Sequence, residues 1–285
     1  MKKVNFAIRE IGELYTLEFL ISEFQRYGIQ WNIYTIPYNS DLREYDASSR
    51  LSKYEGVSVI NGEDGVDVSC VGFQTDISGR FEDRVKSCID VYQVATCMDM
   101  DFGIDLSKFS AFDIVVSNVK INDKKPEKEY DPRMWEMLGK LPYSIAVGPR
   151  HPFPDGYLTG IEIPDNVTVI NQIGQLKGLC AKTSLTVMGL IFSNPEGEMD
   201  HSPLEATLNS NTISGTYGEI EDAYKDFYVS SGLVHQYGSF VESMGDIEGL
   251  INDPYLEDKL ENKRKWIRNN RGLYMPEILD ILLDK

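Results

Sequence analysis

Short β-prone runs alternate along the chain with stretches whose apolar residues recur every three or four positions. The first such run covers residues 4–8. Residues 12–24 then place Leu14, Leu17, Leu20, Ile21 and Phe24 at helical steps, and Gly28 is a natural stop. Residues 31–36 predict the next strand, ended by Pro37. Further strands are predicted over 57–60, 66–71, 91–95 and 112–117, with a helix over 81–90. Beyond residue 132 the pattern predicts a helix over 134–138, strands over 144–147 and 167–170, a helix over 173–182 and a strand over 185–188. A helix opens at 203–208, a strand follows at 212–214, and after Gly238 the chain reads as helix over 240–251, 255–269 and 276–283. Strands alternating with helices imply parallel sheets assembled from βαβ units.

Residues 122–132, NDKKPEKEYDP, carry two prolines and seven charges, with Tyr130 the one apolar side chain, and read as a linker. The expected fold is therefore α/β: two Rossmann-like lobes with parallel sheets, at 1–125 and 126–270. A helical tail at 271–285 can cross back to the first lobe. Ligands in such sheets lie beyond the strand C-termini, on the loops that open helices.

Charge narrows the partners. The 285 residues hold 28 Lys+Arg against 45 Asp+Glu, so 28 − 45 gives a net charge of −17. Duplex DNA binding requires clustered cations, so nucleic acid is an improbable general partner, although one basic pocket for a phosphorylated ligand is compatible with this balance. No run of about 18 apolar residues occurs, and Arg9, Glu10 and Glu13 interrupt any signal-peptide core behind the two N-terminal lysines. Cys70, Cys88, Cys97 and Cys180 show no CxxC spacing and read as reduced, structural thiols of a cytoplasmic protein.

Three stretches could carry chemistry. In residues 144–152, SIAVGPRHP, a strand runs out into a loop where prolines flank Arg150 and His151; an arginine fork there suits a phosphate, and a stiff surface turn is the plainer alternative. In residues 200–206, DHSPLEA, Ser202, Pro203 and Glu205 have the form of a capping box, and the same helix start could receive an anion while Glu205 accepts ribose hydroxyls. Gly12-Glu13 places a carboxylate at a helix start, where the dipole favours it and where it could also take a proton from a hydroxyl. Three other features read as weaker. Asp99-Met100-Asp101 has a metal-binding form in a context that reads as loop. Lys259, Lys263, Arg264, Lys265, Arg268 and Arg271 around Trp266 form a solvated helix face or a peripheral contact with an anionic surface. His235 stands alone and reads as structural.

The ordered set G-E at 12–13, G-P-R-H-P at 148–152, I-G-Q-L at 173–176 and H-S-P-L-E-A at 201–206 resembles the Kdo transferases. These are GT-B-fold glycosyltransferases that move 3-deoxy-manno-octulosonic acid from CMP-Kdo to a lipid A precursor. The resemblance is densest from Ser144 onward. It implies that Glu13 is the catalytic base that deprotonates the acceptor hydroxyl. It also implies that Arg150, Gly174, Ser202 and Glu205 lie in or beside the donor nucleotide pocket, with His151 and His201 shaping it. No metal or other cofactor is expected, because arginine and helix N-termini stabilise the leaving phosphate. The partners implied are a nucleotide-sugar donor and a sugar, lipid or polymer acceptor, at a cytoplasmic location that can be peripheral to the inner membrane face.

The chain departs from the family at Glu10, at Met199-Asp200 and at Ser202, and its first lobe is short. Those departures motivate two alternatives: transfer to a polymer or nucleobase acceptor, DNA included, and a catalytically inactive GT-B-like binding protein.

Overall fold

The structure, a computed structural model, describes residues 2–8, 11–36, 47–62, 66, 69–74, 85, 87–98, 105–119, 133–149, 153, 156, 158–172, 175–192, 203–216 and 222–283. The chain divides into two units, Met1–Met98 with Trp266–Lys285, and Asp99–Lys265.

The first unit is built on a five-stranded sheet of β1 (Lys3–Ile8), β2 (Gln30–Thr35), β3 (Val57–Asn61), β4 (Val71–Gln74) and β5 (Ser87–Asp90). Their order is β3-β2-β1-β4-β5 and every pairing is parallel. Successive side chains of β1 serve opposite faces: Phe6 packs in one buried cluster with Trp31 and Phe73, and Ala7 in another with Ile36, Cys70 and Val85. Helix α1 (Ile11–Phe24) buries Leu14, Leu17, Leu20, Ile21 and Phe24, the stripe expected from its spacing. A 3₁₀ turn over Gln25–Tyr27 then ends at Gly28, whose φ of 62° takes the left-handed conformation that favours glycine. The short α2 (Ala47–Leu51) packs Ala47 and Leu51 into the same core.

Two expected elements of this unit exchange identity. Residues 87–90 form strand β5 where a helix is expected, and residues 91–95 form helix α3 (Val91–Ala95) where a strand is expected. Asp90 decides the matter: its carboxylate accepts from the N–H groups of Tyr92 at 2.7 Å and Gln93 at 3.3 Å, so the helix starts immediately behind it. This cap outweighs the β-preference of Val91 and Val94.

The second unit holds six parallel strands: β6 (Ile114–Val119), β7 (Ile145–Pro149), β8 (Val167–Val169), β9 (Leu185–Met188), β10 (Asn211–Gly215) and β11 (Val234–Tyr237). Their order is β11-β10-β9-β6-β7-β8. The strand expected over 112–117, read as the last of the first lobe, is β6, and it lies at the middle of this second sheet between β9 and β7. The helices are α4 (Met134–Gly139), α5 (Leu176–Cys180), α6 (Asp222–Tyr228), α7 (Phe240–Ser243) and α8 (Ile247–Ile251). Helix α6 and strand β11 have no counterpart in the expected pattern. The helix expected over 203–208 is a run of turns. The two expected tail helices are one, α9 (Leu256–Leu283), with Pro276 inside. An interior proline costs a helix about 3 kcal/mol. Burial of Met275, Ile278 and Leu282 in the first unit's core offsets that cost.

Each strand of the second sheet enters past a side-chain clamp. The Asp113 carboxylate before β6 accepts from the N–H and hydroxyl of Ser144 before β7, at 2.8 and 2.7 Å. Before β8, the Asn166 amide shares two hydrogens among the carbonyls of Leu138, Leu141 and Tyr143. Before β9, the Thr183 hydroxyl lies 3.1 Å from the Asp113 carbonyl. At the head of β10, Asn211 donates to the Leu250 carbonyl and to Asp253. Before β11, the Gly232 carbonyl accepts from Lys259.

Candidate active site

A doubly wound sheet opens a crevice beyond the strand C-termini, where chain order reverses. In the first sheet that reversal falls between β1 and β4, and in the second between β6 and β9.

Helix α1 begins three residues after β1 ends, so its first turn stands at the first sheet's reversal point. Glu13 occupies that turn and is buried, with 4% of its surface exposed. Glu18, also on α1, is a carboxylate of another kind. It pairs with Arg50 and, at 2.5 Å, with Lys53, and it accepts from the Tyr54 hydroxyl at 3.1 Å. Burial alone would raise the Glu18 pKa, yet the hydrogen bonds from Lys53 and Arg50 hold it below its ordinary value. Arg50 also lies over the Tyr15 ring, 4.1 Å from its centroid. Glu18 thus ties α2 to α1 as a paired carboxylate, and Glu13 is the helix's carboxylate at the sheet edge.

In the second unit, Pro149 closes β7 opposite Val119 of β6. Arg150 and His151 follow it in sequence and lie outside the described residues, and Gly148 and Phe153 on either side of them are described. Gly148 is packed so closely that a Cβ there would stand 2.9 Å from Leu176 Cδ1, at the start of α5. On the far flank, Phe153 is buried in the core, and its N–H donates to Asn171 Oδ1 at 2.6 Å while Asn171 Nδ2 reaches its carbonyl at 3.5 Å. Asn171, just past β8, is a support that sequence reading missed; an asparagine at a strand end was the available signal.

Gly174, His201 and Ser202 lie outside the described residues, as does the Asp99-Met100-Asp101 stretch. Glu205 is described and half-buried, within the turns of Pro203–Ser210. The capping box expected of Ser202 and Glu205 therefore has no α-helix to cap. Glu205 lies within electrostatic reach of Cys180, whose thiol is pushed well above its ordinary pKa, first by burial and then by this carboxylate. The turns are fastened sideways: Asn209 donates to the Ala181 carbonyl at 2.6 Å, and the Ser210 and Thr186 hydroxyls pair at 3.1 Å.

Four residues of the basic tail segment make contacts within the fold, while Lys265 and Arg268 are exposed. Lys259 pairs with Asp253 at 2.7 Å, Lys263 donates to two main-chain carbonyls, and Arg264 pairs with Glu257 at 2.9 Å. Arg271 lies 3.7 Å from Glu23 and over the Phe19 ring. Among the described residues, no helix is long and apolar enough to cross a membrane.

No protein-family model matches the chain, and no curated protein sequence matches it. Solved structures do match. The glycosyltransferase of kitacinnamycin shares 13% identity at a TM-score of 0.54, covering 99% of this chain and 98% of that one. Anabaena HepE, solved in complex with UDP and glucose, shares 10% identity at a TM-score of 0.57, covering 97% of this chain and 100% of that one. A glycosyltransferase from Rickettsia africae shares 10% identity at a TM-score of 0.52, covering 99% and 97%. At these identities the likeness establishes fold. The chain has the GT-B fold, with two parallel-stranded units and a long C-terminal helix.

Proposed function

We propose that this chain is a GT-B glycosyltransferase that moves a sugar from a nucleotide-sugar donor to an acceptor hydroxyl without a metal ion. The observation that carries the reading is the full-length likeness to glycosyltransferases in both units together, each with its own reversal point. The placement of Glu13 in the first turn behind β1 supports its role as base. Glu13 takes the acceptor's hydroxyl proton, and the freed oxygen forms a bond to the anomeric carbon. The bond from that carbon to the donor phosphate breaks, and the nucleotide leaves with its electron pair. Arg150 neutralises the departing phosphate, and Glu205 holds the ribose hydroxyls. Gly174, His151, His201 and Ser202 complete the donor pocket on the strength of the motif order. The same order favours a CMP-Kdo-like donor, whereas the UDP and glucose held by HepE favour a nucleoside diphosphate sugar.

A thermal-shift screen across CMP, UDP, GDP and TDP species tests this reading. One species should raise Tm by mass action. Transfer to water or to an offered sugar should follow with the matching donor. Binding without transfer would favour the inactive binding protein, and binding of none of the four would remove the donor role altogether.

A further inference from the structure

One side chain of the tail helix grips the turns that carry Glu205. Lys263 is 5% exposed, and its ammonium donates to the carbonyls of Thr207 at 2.6 Å and Leu208 at 3.3 Å. Thr207 is fully buried, and both its N–H and its hydroxyl reach back to the Pro203 carbonyl at 2.8 Å. The ammonium therefore fixes Thr207, Thr207 fixes Pro203, and Leu204 and Glu205 lie between them. Leu204, Ala206 and Leu208 are buried around this turn. A buried ammonium is more exacting than an apolar contact. Displacing it leaves both its charge and its acceptors unsatisfied, so the turn has one favourable position. The ties from Asn209 and Ser210 act further along, where the segment meets β10.

We propose that Lys263 is a positioning residue for the donor site, setting the place of Glu205 through the Thr207–Pro203 turn without touching the ligand. The proposal rests on the donor role given to Glu205 above. Lys259, one helical turn earlier, provides the control. It is also paired, but its acceptors are Asp253 and the Gly232 carbonyl before β11, outside any segment of the donor reading.

The experiment compares Lys263→Met, Lys259→Met, Glu205→Ala and the Lys263→Met/Glu205→Ala pair, with the tightest-binding of CMP, UDP, GDP and TDP as probe. Lys263→Met should weaken nucleotide binding about tenfold, while Lys259→Met lowers Tm and leaves binding unchanged. In the Glu205→Ala background the Lys263→Met effect should vanish, because the two act in series. Equal losses in both lysine variants, or a loss that persists without Glu205, would reduce Lys263 to a stabilising contact. Failure of the wild-type protein to bind any of the four nucleotides would instead strike the donor reading, and Lys263 with it. If Lys263→Met does not fold, hydrogen exchange on the wild-type protein decides: bound nucleotide should slow the amides of Thr207 and Leu208, and unchanged exchange there overturns the proposal.

Discussion

Along the N-terminal edge of the second sheet, strands begin at clamps in which an Asp, Asn, Ser, Thr or Lys side chain binds main chain or another side chain of a neighbouring segment. Along the C-terminal edge, the chain leaves the strands for the stretches that carry Arg150, His151, His201 and Ser202. The hydrogen bonds at the first edge tie one strand entrance to the next and so contribute stability. The stretches beyond the second edge carry the residues given the donor role above. The contrast sorts residues by consequence: changes at the entrances should alter stability with little effect on chemistry, and changes at the exits should do the reverse.

The largest effect should come from Glu13, at the exit side of the first sheet. Glu13→Gln is expected to lower transfer by about 10²–10⁴-fold while nucleotide affinity holds, as measured by turnover and titration side by side. Unchanged turnover would take Glu13 out of the mechanism and blur the contrast at its sharpest point. At the entrances, Asn166→Ala strips a donor from three carbonyls and should cost on the order of 2–3 kcal/mol in a denaturant titration. Donor affinity of the folded fraction should be unaffected. Arg150→Ala should weaken donor binding about tenfold or more without moving Tm, and a drop in Tm with intact binding would reassign Arg150 to the scaffold.

The smallest effect is that of pH on the entrances. His235 has its pKa lowered below 6.5, by burial first and then by Lys259, against the opposing pull of Asp253 and Asp246. The unfolded chain therefore takes up that proton first, so stability is complete above pH 6.5 and declines as the pH falls below it. Asp253 feels burial most, which would raise its pKa, but Lys259, Asn211 and the Tyr255 N–H bring it from 3.8 down to about 2. Its contribution, at most roughly 2 kcal/mol after solvent screening, is present above pH 3.8 and disappears as the pH approaches 2. An acid titration of Tm should show these two limbs, and His235→Gln should flatten the upper one alone.

The stripe on α1, the strands flanking it and the strand at β7 were legible because each depends on residues three or four apart, or on two-residue alternation. The order of β5 and α3 was open to misreading for the same reason. Val91 and Val94 suit a strand, and the deciding hydrogen bonds that Asp90 accepts were a local signal that weighed more than periodicity. Of the candidate donor residues, Glu205 was named from its motif, but its setting was not visible, since the helix expected around it depends on partners far along the chain.

The amino-acid sequence by itself determined that this protein alternates strand and helix, that its sheets are parallel, and that Glu13 stands directly behind the first strand. Those are consequences of local sterics and of apolar spacing, which act over a few residues. Tertiary structure alone decided that β6 belongs to the second sheet, that the tail helix continues through Pro276, and that Lys263 reaches back more than fifty residues to hold the turn beside Glu205. Strand neighbours, burial that offsets a broken helix bond, and a buried ammonium's choice of acceptors are all settled by groups distant in sequence, and no local pattern encodes them.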